Sequence, residues 1–341
     1  MSDNIYKRCV YSYLAPMWHK LTEPSLVPMT AEQIMEEKFG GGFKMYTRPV
    51  TVDLNGQPTE TGDFAVIRGA TAYDAEEVVF GYCTERYHPL QPMDIAQQFD
   101  KSVAEFAETM AFLGKGEQMF ISWKMPNFDV VQGDEVETYG IVKCGFDTLK
   151  GAKLFTSIYR PVCSNTLCLA EDWAKRNTDG NGRGSIWTGR GVNKNLLRDL
   201  GYWMSHVQGQ ALTQTALLKD LFGNFAKKPI KTDEQAKGLL YEAYPDAKDI
   251  SSYYPAELRK SKQETTEQFN EKQTEMRDGI FDLFAGLGTQ ISPDYWGLAC
   301  ATSEWFCHVQ PSKRPIAESV MFGARKEKIT RMVNVLTANA K

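Results

Sequence analysis

Polar and apolar positions along this chain change period several times. Thr30 followed by AEQIMEEKF carries the cap and the spacing of a short helix, closed by Gly40-Gly41-Gly42. Three β-favouring runs come next: FKMYTRPVTVD, DFAVIRG and EEVVFGYCTERY. The first two are joined by the turn-rich LNGQPTETG. PMDIAQQFDKSVAEFAETMAFLG then shifts to a 3.6-residue period. Pro92 sits in its first turn, and Ile95, Phe99, Val103, Phe106 and Met110 form one stripe, so a single helix is predicted.

EQMFISWKM, VETYGIVKCGF and AKLFTSIYRPV read as three further strands. In the last, Leu154, Thr156 and Ile158 alternate with Phe155, Ser157 and Tyr159, and both faces favour β-structure. Residues 165–176 suit a short helix, DGNGRG a turn and SIWTGRG a brief strand or loop. Residues 193–225 are helical in pattern. The polar stretch YPDAKDISSYYPAELRKSKQETTEQFNEKQTEMRD predicts an exposed hinge followed by a charged helix. Two helices, PDYWGLACATSEWFCHV and PIAESVMFGARKEKITRMVNVLTANA, close the chain.

The expected class is α+β. An antiparallel sheet, made of N-terminal strands plus a three-strand meander, carries packed helices and is followed by a mainly helical C-terminal part. The expected organisation is an N-terminal arm over 1–30 and an α+β core over 31–230. A polar hinge and charged helix over 231–290 follow, with C-terminal helices packing on the core over 291–341.

Composition narrows the chemistry. The 341 residues are 42% hydrophobic and 24% charged, as in ordinary globular proteins. No run approaches the roughly 18 apolar residues of a membrane span, and the first twenty residues lack a secretion pattern, so a cytoplasmic location is expected. The 7 cysteines include no Cys-x-x-Cys pair, and no two of the 4 histidines stand three or four residues apart. A metal or cofactor is therefore not expected, and the thiols should be reduced and mostly buried.

Charge is sorted along the chain. From Leu54 to Tyr139, fifteen Asp and Glu face five Lys and Arg, a balance of -10. From Trp173 to Arg198, six basic residues accompany only Asp179, and from Lys313 to Arg331 six basic residues accompany two acidic ones. Glycines and cations around Trp187 combine phosphate contact with a stacking ring, the pairing used by single-strand binders. DGNGRG lacks the spacing of a nucleotide-binding loop. Cys163 precedes a capping triplet, Ser164-Asn165-Thr166, and is the one candidate nucleophile; packing beneath a helix is the plainer reading. Asp129, Asp134, Glu135 and Glu137 read as a solvated acidic turn rather than a calcium loop. His19, His88 and His206 stand isolated.

APMWHKL, TERYHPLQPMDIAQQFD, YRPVCSNTLCLA, WGLACATSEWFCH and SVMFGARKEKITRMVNVL occur in an order that resembles the phage/plasmid-like family catalogued as domain of unknown function 932. The resemblance runs from about Pro16 to Leu336. It departs at Cys300 and Cys307, where the family usually has Asn and Asp. It implies a protein of phages, plasmids and their hosts, with no catalytic residues to carry over.

The order of strands, helix, meander and helix is also similar, in topology alone, to phage single-strand annealing proteins. The expectation is thus a non-enzymatic protein of the bacterial host cytoplasm, assembled as a homo-oligomer. It would bind single-stranded DNA and anneal strands in recombination or replication. Arg160, Arg183, Arg190, Lys194 and Arg198 would contact phosphate, and Trp187 would stack. Two alternatives stay open: a host-takeover or anti-defence protein acting on a host protein, and an enzyme using Cys163.

Overall fold

A computed structural model describes residues 5–14, 22–148, 151–160, 165–167, 187–189, 195–248, 265–288, 291–311 and 324–340. The chain divides into two compact units. One gathers Met1–Asn127, Glu137–Tyr159 and Glu171–Thr215; the other gathers Phe128–Val136, Arg160–Ala170 and Ala216–Lys341. The fold is α+β, with antiparallel sheets and helices concentrated in the C-terminal part.

In the first unit, strands run in the order β1 (Ile5–Ser12), β5 (Thr109–Leu113), β6 (Gln118–Asp129), β7 (Glu135–Gly145), β8 (Ala152–Arg160) and β10 (Trp187–Gly189). The meander β6–β7–β8 is the one read from the sequence. Met110, Phe112, Met119, Ile121, Trp123, Val142, Cys144 and Leu154 belong to one buried cluster. Ile95, Ala96 and Phe99 of α2 (Pro92–Ser102) join it, as do Leu200, Met204 and Val207 of α3 (Leu196–Gly209). The intervening positions Ala111, Phe120 and Ile141 are buried as well, so both faces of the strands are covered.

Gly140 makes room for the largest of these side chains. A Cβ there would lie 2.1 Å from the Trp123 ring. The indole N–H of Trp123 donates to Gln208 Oε1 at 2.7 Å, which ties α3 to the sheet.

The segment expected as an N-terminal arm contributes β1, with Tyr6, Cys9 and Tyr11 buried. The single helix expected from Pro92 to Gly114 is instead a helix and a strand. α2 ends at Ser102, Val103 is extended (φ -118, ψ 124), and Thr109–Leu113 forms β5 with every residue buried. Pairing on both sides of that strand satisfies backbone groups that helical spacing alone could not reveal.

A second sheet holds β2 (Met45–Leu54), β3 (Gln57–Arg68) and β4 (Val78–Cys83) in that order. The long turn expected between the first two is only Asn55-Gly56, both with positive φ (56 and 81), and QPTETG pairs as strand. The arm over residues 50–63 is almost wholly exposed on both faces. At its base, buried Arg68 donates to Tyr6 Oη, to Asp74 at 3.0 Å and to the Glu76 carbonyl at 2.9 Å. α1 (Ala31–Gln33), continuing as the π-helical turn Ile34–Lys38, is capped by Thr30 and by Asp100 of α2, whose carboxylate accepts from Ala31 and Glu32 N–H.

α4 (Ala211–Ala226), which belongs to the second unit from Ala216 on, leads to that unit's α5 (Asp233–Ala243), α6 (Thr266–Asp282), α7 (Tyr295–Glu304) and α8 (Ala324–Asn339). α7 is buried on all sides from Tyr295 to Ser303, as its run of small and apolar residues requires. Trp296 packs on Phe222 at 4.8 Å and donates to Asp134 Oδ2 at 2.7 Å. Asp134, expected in a solvated acidic turn, is therefore a buried acceptor.

The stretch expected as a polar hinge contains α5, which buries Ala236, Leu239, Leu240 and Ala243. The helix expected to start at residue 165 is absent at that point: Asn165–Leu167 is a short strand, β9. Cys9, Cys144, Cys300 and Cys307 are buried thiols outside any disulfide, and Cys83 is half-buried.

Candidate nucleic-acid interface

Among the residues expected to contact DNA, Arg198 has a described side chain. The backbone of Arg160 ends β8, and that of Trp187 opens β10 in register with Leu154. Arg183, Arg190 and Lys194 lie outside the described residues, as does Cys163.

Arg198 stands on α3, and the apolar stripe of that helix fixes what surrounds it. Leu196, Leu200, Met204 and Val207 turn toward the core. Positions 198, 202 and 206 follow one another on the opposite side at the four-residue spacing that makes neighbours on a helix surface. Arg198 is exposed (side chain 74%), and its ion pair is with the adjacent Asp199 at 3.3 Å. A surface pair of this kind holds a guanidinium only weakly.

Tyr202 is 64% exposed. Its ring lies nearly parallel to His206, 6.2 Å away at 13°, and edge-on to Trp203 at 5.6 Å. Trp203 also meets His206 edge-on at 5.4 Å, and it packs partly onto the core cluster. A cation is thus followed along one helix face by a ladder of rings.

The helix under this ladder is held at several points. Gly201 allows close approach of α2, since a Cβ there would come 2.0 Å from Gln98 Nε2. Ser205 Oγ donates to the Ser102 carbonyl at 3.0 Å, which brings the end of α2 alongside, where Lys101 is exposed. Rings set on a fixed helix lose little freedom on stacking a base.

Tyr202, Trp203 and His206 were not selected from the sequence. The signal was present: the stripe at 196, 200, 204 and 207 sets the phase that turns 202 and 206 outward.

A second polar group lies on the strands of the same unit. Lys124 Nζ meets Glu137 Oε1 at 3.1 Å, and the Tyr139 hydroxyl donates to Glu137 Oε2 at 2.6 Å. Glu108 is 9% exposed. Burial pushes its carboxyl up to about 7, against the pull of Lys124 and with a further push from Glu137. Among the described residues, no three His, Cys, Asp or Glu side chains are grouped to hold a metal. Nor is any helix there long and apolar enough to cross a membrane.

Neither the curated proteins nor the solved structures contain a match to this chain. Residues 79–179, which take in β4, α2 and the strands β5 to β8, match the family described as Domain of unknown function (DUF932), a shorter span than the resemblance read from about Pro16 to Leu336.

Proposed function

We propose that this chain is a phage- or plasmid-type DNA-transaction protein that binds single-stranded DNA without enzymatic chemistry. The observation that carries the reading is the file of exposed Arg198, exposed Tyr202 and half-buried His206 on α3, with Trp203 bracing the rings. Guanidinium answers phosphate, and an exposed ring accepts any base by its π-face. Annealing of complementary strands by a homo-oligomer in the host cytoplasm extends the same reading.

Binding of a labelled oligothymidylate across a salt series tests it. The affinity should fall steeply with salt. Tyr202→Ala should weaken binding by about 1–3 kcal/mol. Arg198→Ala should reduce the log–log salt slope by about 0.7. No binding at low salt, or equal affinity for Tyr202→Ala and the parent protein, removes the proposal.

A second reading, contact with a host protein, draws on the exposed arm over residues 50–63. It carries Asp53, Glu60 and Asp63 and no Lys or Arg. Shortening that arm to its base separates the two: loss of DNA binding is not expected, whereas loss of a stoichiometric basic partner is.

A further inference from the structure

The second basic segment of the chain contains two kinds of cation. Arg325 is 6% exposed and donates to the carbonyls of Phe306, Gln310 at 2.8 Å and Pro311 at 3.1 Å. Three of its five N–H donors thus go to the turn that follows α7.

Lys328, one turn further along α8, has no such set of oxygens among the described residues. Its ammonium is half-buried, 3.8 Å from Met276 Sδ of α6 and 5.4 Å from the centre of the Phe306 ring. The wall behind is rigid. Tyr244 Oη donates to the Lys328 carbonyl at 2.9 Å, and the Tyr244 ring packs edge-on to Phe306 at 6.2 Å. Arg331, three residues beyond, is exposed. Among the described residues, neither Lys328 nor Arg331 has a carboxylate within ion-pair distance.

An ammonium with three N–H donors is poorly served by a thioether and a ring face. Burial holds the Lys328 amine below its ordinary range, and Arg331 and Arg325 lower it further. Two adjacent cations, one of them partly desolvated, with no counter-charge among the described residues, favour an incoming anion of high charge density.

We infer that Lys328 and Arg331 form a binding site for a phosphate group, either free or as part of a nucleic-acid backbone. The site lies on α8 in the second unit and does not depend on the α3 reading.

The test uses the full chain, with inorganic pyrophosphate in one arm and labelled oligothymidylate in the other. Pyrophosphate should raise the thermal midpoint of the parent protein, and Lys328→Met should weaken its binding about tenfold. Without ligand, Lys328→Met should melt no lower than the parent, since a thioether suits Met276 and Phe306 better than an ammonium does. Pyrophosphate without effect, but oligothymidylate bound about tenfold more weakly by Lys328→Met, identifies a backbone phosphate as the source. Arg331→Gln, at an exposed position, carries the same comparison if Lys328→Met does not fold. Equal affinities of parent and variants in both arms, or no binding in either, overturns the site. Tyr202→Ala reads the α3 proposal separately.

Discussion

Arg198 and Arg325 count alike in a tally of charge, yet the structure uses them in opposite ways. One stands exposed beside a ring ladder, loosely paired with its neighbour Asp199. The other is enclosed and satisfies three carbonyl oxygens of a turn 14 to 19 residues earlier in the chain. A basic segment is therefore not a surface property. Whether a cation can meet a ligand is decided by where the apolar stripe of its helix falls and by what backbone the fold leaves without donors.

The sharpest way to break this contrast is to remove each cation in turn. Arg325→Met should cost about 3 kcal/mol or more in denaturant unfolding, because it strands the buried Phe306 carbonyl and removes the charged donor from two part-buried ones. Arg198→Ala should stay within about 0.5 kcal/mol of the parent. Equal losses would erase the distinction.

A smaller effect is expected at Glu108, where the buried ionisable group is an acid. Its folded value of about 7 exceeds the ordinary 4.5. Between those values the folded state binds more protons than the unfolded chain, so stability falls as pH rises from about 4.5 to about 7 and the loss is complete above it. Glu108→Gln should flatten that slope and be more stable than the parent at pH 8 by roughly 2 kcal/mol. A parallel pH profile for the two proteins counts against the burial argument. Smallest of all is the expected change in unfolding for Tyr202→Ala, within about 0.5 kcal/mol despite its effect on DNA affinity. A large loss would turn the ring ladder into a packing feature.

Much of the first unit was legible in the sequence because its strand segments are rich in β-favouring residues and bounded by turn signals. EQMFISWKM and VETYGIVKCGF fall, but for one end residue each, on the strands Gln118–Asp129 and Glu135–Gly145, and the described part of AKLFTSIYRPV is the strand Ala152–Arg160. The exception is instructive. Met110 satisfies the helical stripe begun by Ile95 and Phe99, but TMAFL is buried on both faces, and a short apolar run carries no period of its own. Asn165 and Thr166 misled for a related reason, since residues that cap helices also enter short strands and turns.

The candidate interface was half legible. Arg198 was selected for its charge, while Tyr202 and His206 needed the phase of α3. The enclosure of Arg325 was not legible at all, because its acceptors lie in a turn that only the fold brings near.

The β2–β3 arm has a different kind of consequence. Its strands pair chiefly with each other over residues 50–63, and its side chains face solvent on both sides. Such a ribbon is marginally stable by itself, so its amides should exchange with deuterium far ahead of those in β6 and β7, through fluctuations that leave the rest of the unit closed. Asn55-Gly56 at its tip is accordingly the place where the polypeptide can accept a nick or an inserted tag at least expense to folding.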